Sequence, residues 1–90
     1  MKTKVKNNTG HDIKECSLIT SEGIKDVGWF EDGDVVEIAS SGFNIAPELS
    51  GYIENDFGRE ILVEGEARAL EKRGTTVTMW VFNKVHECDD

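Results

Sequence analysis

What most constrains this chain is its punctuation: turn signals recur at short, regular intervals, and the runs between them tend to alternate apolar with polar residues. Nine glycines and a single proline, Pro47, are spread over 90 residues with no internal repeat, low-complexity tract or linker. That is the pattern of an all-β sandwich or barrel built as one domain, residues 1–90. A domain this small folds on its own core but has little interior to spare for a large active-site cavity.

Seven strands are predicted, at residues 2–6, 12–20, 24–30, 35–39, 49–55, 60–66 and 75–84. The first ends at the turn formers Asn7-Asn8-Thr9-Gly10. In the second, the apolar positions Ile13, Cys16 and Leu18 change face once, which predicts a β-bulge near Glu15. Asp32-Gly33 predicts a tight hairpin with positive φ between the third and fourth strands. Residues 40–47 are the least regular and read as the crossover between sheets. Further on, Leu49, Gly51 and Ile53 share a face opposite Tyr52, and Ile61, Val63 and Gly65 alternate with Glu60, Leu62, Glu64 and Glu66.

Residues 66–73 are strong helix formers followed by Gly74, a natural cap, so one or two helical turns docked through Ala67 and Leu70 are expected there. The alternative is that the preceding strand runs on. The last strand is dense in β-branched and aromatic residues, with Val77, Met79 and Val81 facing one way and Thr78, Trp80 and Phe82 the other.

The stretch Val5-Lys6-Asn7-Asn8-Thr9-Gly10, followed after two intervening residues by Ile13, resembles the opening of small bacterial immunoglobulin-like β-sandwich modules, and residues 28–38 resemble their second landmark. The resemblance covers about a third of the chain and implies an immunoglobulin-like antiparallel sandwich of about seven strands. It carries over no active residues. The Cys-Trp-Cys spacing of antibody domains is missing, because Cys88 follows the last strand.

Ten basic residues stand against 18 acidic ones, a net charge of −8. Lys2, Lys4, Lys6 and Lys14 form the only basic cluster, which disfavours nucleic acid and anionic membrane as partners. A basic protein is the better match electrostatically. No run of about 18 apolar residues is present, and the opening residues lack the apolar segment of a secretory signal. The expected setting is cytoplasmic.

The residues that could carry chemistry do not assemble into a known pattern. His11, Cys16, His86 and Cys88 are zinc-ligand types at spacings that match no zinc knuckle or ribbon, so no metal or cofactor is expected. A Cys16–Cys88 disulfide would need an oxidising compartment. Glu31, Asp32 and Asp34 surround Gly33 without the spacing of a calcium loop. No serine sits in a Gly-x-Ser-x-Gly elbow.

These readings lead to a non-enzymatic protein-binding module. Its candidate contact residues are aromatic: Trp80, Phe82 and Tyr52, with Trp29 and Phe30, on a sheet face rimmed by acids. One concrete form is a small acidic inhibitor or immunity-type protein that masks a basic partner. The alternative is a structural module that assembles with itself as a homodimer.

Overall fold

The computed structural model describes residues 2–88. Nine strands follow in order: β1 (Thr3–Asn7), β2 (Ile13–Thr20), β3 (Gly23–Phe30), β4 (Val35–Ala39), β5 (Glu48–Glu54), β6 (Glu60–Glu66), β7 (Arg68–Arg73), β8 (Thr76–Phe82) and β9 (His86–Glu87). They form two packed sheets, with strand orders β4-β1-β8-β7 and β3-β2-β5-β6-β9. Neighbours are antiparallel except β1 and β8, which run parallel. Among the described residues there is no helix, and so none long and apolar enough to cross a membrane.

Strand alternation fills the space between the sheets. Val5, Ile13, Leu18, Phe30, Leu49 and Phe82 are wholly buried there, and each such side chain contributes about 1.5–3 kcal/mol relative to exposure. In β2, Ile13 and Cys16 both point inward although three positions apart. Glu15 makes this possible by taking up the extra residue as a bulge, with φ of 50° and a register shift against β3. The bulge lies where the alternation of the sequence breaks.

Gly51 and Gly65 are placed inward for a steric reason. A Cβ at Gly51 would lie 2.5 Å from Ile13 Cγ2 and 3.0 Å from the Lys14 carbonyl oxygen. One at Gly65 would lie 2.8 Å from the Lys84 carbonyl oxygen, where the chain leaves β8 and crosses to add β9 beside β6.

Three expectations need correction. Asp32-Gly33 does make a turn, with Asp34 N donating to Glu31 O at 3.0 Å and Gly33 at φ 91°. It is not a hairpin: β3 and β4 belong to different sheets, so the turn is a corner between them. Residues 66–73, expected to hold one or two helical turns, are instead the end of β6 and, from Arg68 to Arg73, the edge strand β7 paired to β8. Six residues are too few for a helix to persist unaided, and β8 offers them a ladder of hydrogen bonds. The faces of β8 also differ from expectation. Irregular pairing with β7 across Val77–Trp80 lets Val77, Trp80 and Phe82 all turn inward, while Met79 is left half-buried.

The corner is held by Asn7, a polar residue with no exposed surface. Its backbone N–H donates to Asp34 O (2.9 Å), and its carbonyl accepts from Gly33 N (2.7 Å). Its side-chain Nδ2 donates to the carbonyls of His11 and Phe30, both at 2.9 Å. Oδ1 accepts from Thr9 N (3.0 Å) and Thr9 Oγ1 (2.7 Å). The amide is therefore saturated.

Two substitutions test this packing in chemical denaturation. Gly51→Ala is expected to destabilise by about 1–3 kcal/mol through overpacking against Ile13. Asn7→Ala is expected to cost about 2–4 kcal/mol by orphaning buried partners. Asn7→Asp should be worse at neutral pH, since a carboxylate cannot donate to the His11 and Phe30 carbonyls. Burial beside them raises the new carboxyl's pKa above its unfolded value, so its deficit should shrink as pH falls and widen as pH rises.

Candidate functional site

Trp29 and Phe30 are neighbours in β3, so alternation sends them to opposite faces. Phe30 turns inward opposite Ile13 and is buried; Trp29 turns outward and is 52% exposed. Trp80 and Phe82 are buried beside Val5 and Asn7 of β1, with Trp80 stacked on Phe43 at 6.3 Å between ring centroids. Of the five aromatic candidates, Phe30, Trp80 and Phe82 are therefore core residues that no partner reaches. Trp29 and Tyr52 remain accessible, and both lie on the outer face of the five-stranded sheet.

Register builds a row across that face. Lys14 of β2 stands opposite Tyr52 of β5, which stands opposite Leu62 of β6. Trp29, next to the Ile13–Phe30 pair, lines a shallow cleft of about 200 Å³ with Lys14, Asp12 and Glu54. The row thus reads Trp29, Lys14, Tyr52, Leu62. Beyond it, the turn between β5 and β6 projects Phe57, 89% exposed. That turn is firm, because Asn55 Oδ1 accepts from Phe57 N and Arg59 N at 2.9 and 3.0 Å.

Carboxylates surround the row. Glu48 is directly opposite Glu66, and Glu54 directly opposite Glu60. Like charges in cross-strand pairs are destabilising. Lys14 relieves one pair, with Nζ at 3.4 Å from Glu54 and 3.6 Å from Glu60. Among the described residues no salt bridge reaches Glu48 or Glu66. They line, with Glu64 and His86, a second cleft of about 190 Å³. Six residue steps along β5 carry the chain from Glu48 to Glu54, about 20 Å at strand spacing.

Sequence reasoning did not single out Leu62, Phe57 or the facing glutamates as a site. The alternation of β6 already put Leu62 among Glu60, Glu64 and Glu66. What alternation cannot supply is register, which alone sets Glu48 against Glu66.

The four zinc-ligand types are dispersed. His11 is in the β1–β2 loop, Cys16 inside the core, His86 in β9 and Cys88 just beyond it. Among the described residues no group of three or more His, Cys, Asp or Glu is placed to hold a metal ion. The Cys16 thiol is free, and burial pushes its pKa up from 9.0 to about 12. Comparisons of the chain with protein-family models, curated proteins and solved structures found no match.

The raised thiol pKa makes stability depend on pH at alkaline values. Its stabilising effect is complete below the unfolded thiol's pKa and is lost as pH climbs towards the folded value. Relative to Cys16→Ala, the native protein should lose stability above about pH 9, by roughly 1.4 kcal/mol per pH unit at most. In a Cys88→Ser background, Cys16 should resist alkylation until the protein is unfolded.

Proposed function

We propose that this chain is a non-enzymatic protein-binding domain whose outer five-stranded face receives a basic segment of a partner. The observation that carries the reading is the pairing of like charges on that face. Two glutamate pairs oppose each other across β5 and β6, and among the described residues no salt bridge reaches Glu48 or Glu66. A lysine or arginine from a partner supplies the missing countercharge.

The row between the acidic clefts supplies the apolar part of a contact. Trp29 offers its ring beside Asp12 in a cleft whose other carboxylate, Glu54, is already met by Lys14, so a partner's cation there is held by the ring and Asp12. Tyr52 and Leu62 form a less exposed floor between the two ends. Aromatic anchors ringed by charge are the usual composition of a protein-binding patch. An extended basic segment crossing about 20 Å reaches both clefts. The acidic face suits an inhibitor that masks a basic cleft. A cytoplasmic setting, where thiols such as Cys16 stay reduced, completes the reading.

The test is a titration with oligo-arginine, followed through backbone amide spectra, with oligo-glutamate as control. Shifts should centre on Trp29, Tyr52, Leu62 and Glu64, and affinity should fall as salt rises. Glu66→Gln should weaken binding several-fold while stabilising the fold by about 0.2–1 kcal/mol, because it removes the repulsion from Glu48. Shifts centred on the four-stranded sheet, or affinity indifferent to salt, would refute the proposal.

A further inference from the structure

The acidic face has a counterpart on the other side of the same molecule. In β1, Thr3, Val5 and Asn7 are buried, so alternation turns Lys2, Lys4 and Lys6 outward from the four-stranded sheet. An open groove of about 420 Å³ runs across this face, lined by Lys2, Lys4 and Arg73 over Thr78, Met79 and Val35. Glu71 also lines it, and Glu37 approaches Lys2 at 3.6 Å. Bases nonetheless predominate here, in a protein of net charge −8. The remaining surface, above all the outer five-stranded face, is correspondingly more acidic than the total suggests.

We infer that copies of this chain stack head to tail, the basic groove of one seated on the acidic face of the next. The inference deepens the binding reading above, on which it rests, by naming an occupant for the acidic face: a second copy. Charge complementarity carries it, since Lys2, Lys4 and Arg73 match Glu48, Glu54 and Glu66. The apolar parts match as well, with Met79 and Val35 on one face and Tyr52, Leu62 and Trp29 on the other. A nucleic acid would meet the basic groove with phosphates but no such apolar row, and the net charge would repel it.

Geometry sets the form of assembly. The two faces are the outer surfaces of opposite layers and point away from each other. A contact between unlike faces on opposite sides cannot close into a two-fold dimer, so it propagates as an open stack. Whole-molecule repulsion opposes it at low salt. Near about 0.1 M the screening length is about 10 Å, which damps that repulsion and leaves the close contact; near about 1 M it is about 3 Å and the contact weakens too.

Sedimentation velocity over a concentration series tests this, using two charge reversals on outward positions: Lys4→Glu with Lys6→Glu, and Glu54→Lys with Glu64→Lys. Circular dichroism confirms that each variant is folded, and Lys4→Gln with Lys6→Gln serves if the reversal is not. The native protein should show a mass that rises with concentration near 0.1 M salt and falls back near 1 M. Each variant alone should remain monomeric. Their equimolar mixture should associate again, and beyond a pair, because the two reversed faces are complementary to each other as well as the two untouched ones.

A native protein that stays monomeric throughout, variants that still associate, or a mixture that does not pair would each overturn the stacking. Oligo-arginine binding by the Lys4→Gln, Lys6→Gln variant, followed at Trp29, Tyr52 and Leu62, separates the two proposals, since its acidic face is untouched and its groove gains no carboxylate. If stacking fails while that binding persists, only the stacking inference falls. Loss of both removes the binding reading as well.

Discussion

The structure hangs on the saturated amide of Asn7. One buried side chain makes two donations and two acceptances, while its backbone ties β1 to the Glu31–Asp34 turn. These contacts join the end of a strand in one sheet to the last residue of a strand in the other, Phe30. A polar group buried without partners would be a liability of several kcal/mol. Fully partnered, it specifies one geometry for the corner, and carbonyls that would otherwise be orphaned there are satisfied.

From that corner the distribution of side chains follows. With Phe30 drawn inward against Ile13, Trp29 must point out, and the face of β2, β5 and β6 beside it inherits Lys14, Tyr52 and Leu62. On the other sheet the same end of β1 sets Asn7 beside Phe82 and Val5 beside Trp80, which buries both aromatics. One polar contact therefore helps decide which rings are core and which are surface. Alternation within β1, β5 and β6 then puts the lysines of β1 and the glutamates of β5 and β6 on opposite sides of the sandwich.

Much of this was legible in the sequence because it is local. Period-two alternation gives the inward sets Leu49–Gly51–Ile53 and Ile61–Val63–Gly65, and the break in alternation at Glu15 marks the bulge. The crossover at residues 40–47 is visible as lost regularity. What was hidden is pairing. Asp32-Gly33 has the chemistry of a hairpin turn, yet contacts from Asn7 make it a corner. Residues 68–73 have helical propensity, yet the open side of β8 offers them a strand's hydrogen bonds. The irregular pairing of β7 with β8 brings Val77 to the side of Trp80 and Phe82, and no window on β8 alone reports that this side is the inner one. The acidic site was half legible for the same reason: composition shows the glutamates, and only register shows them facing one another.

The Asn7 corner belongs to the cooperative core and is not a surface loop. Hydrogen exchange at the Gly33 amide, which donates to Asn7 O at 2.7 Å, tests it most directly. The account predicts that Gly33, although in a turn, exchanges only with global unfolding and matches the slowest amides of β2 and β5. Exchange of Gly33 at the rate of an open turn, while those strand amides stay protected, would contradict it.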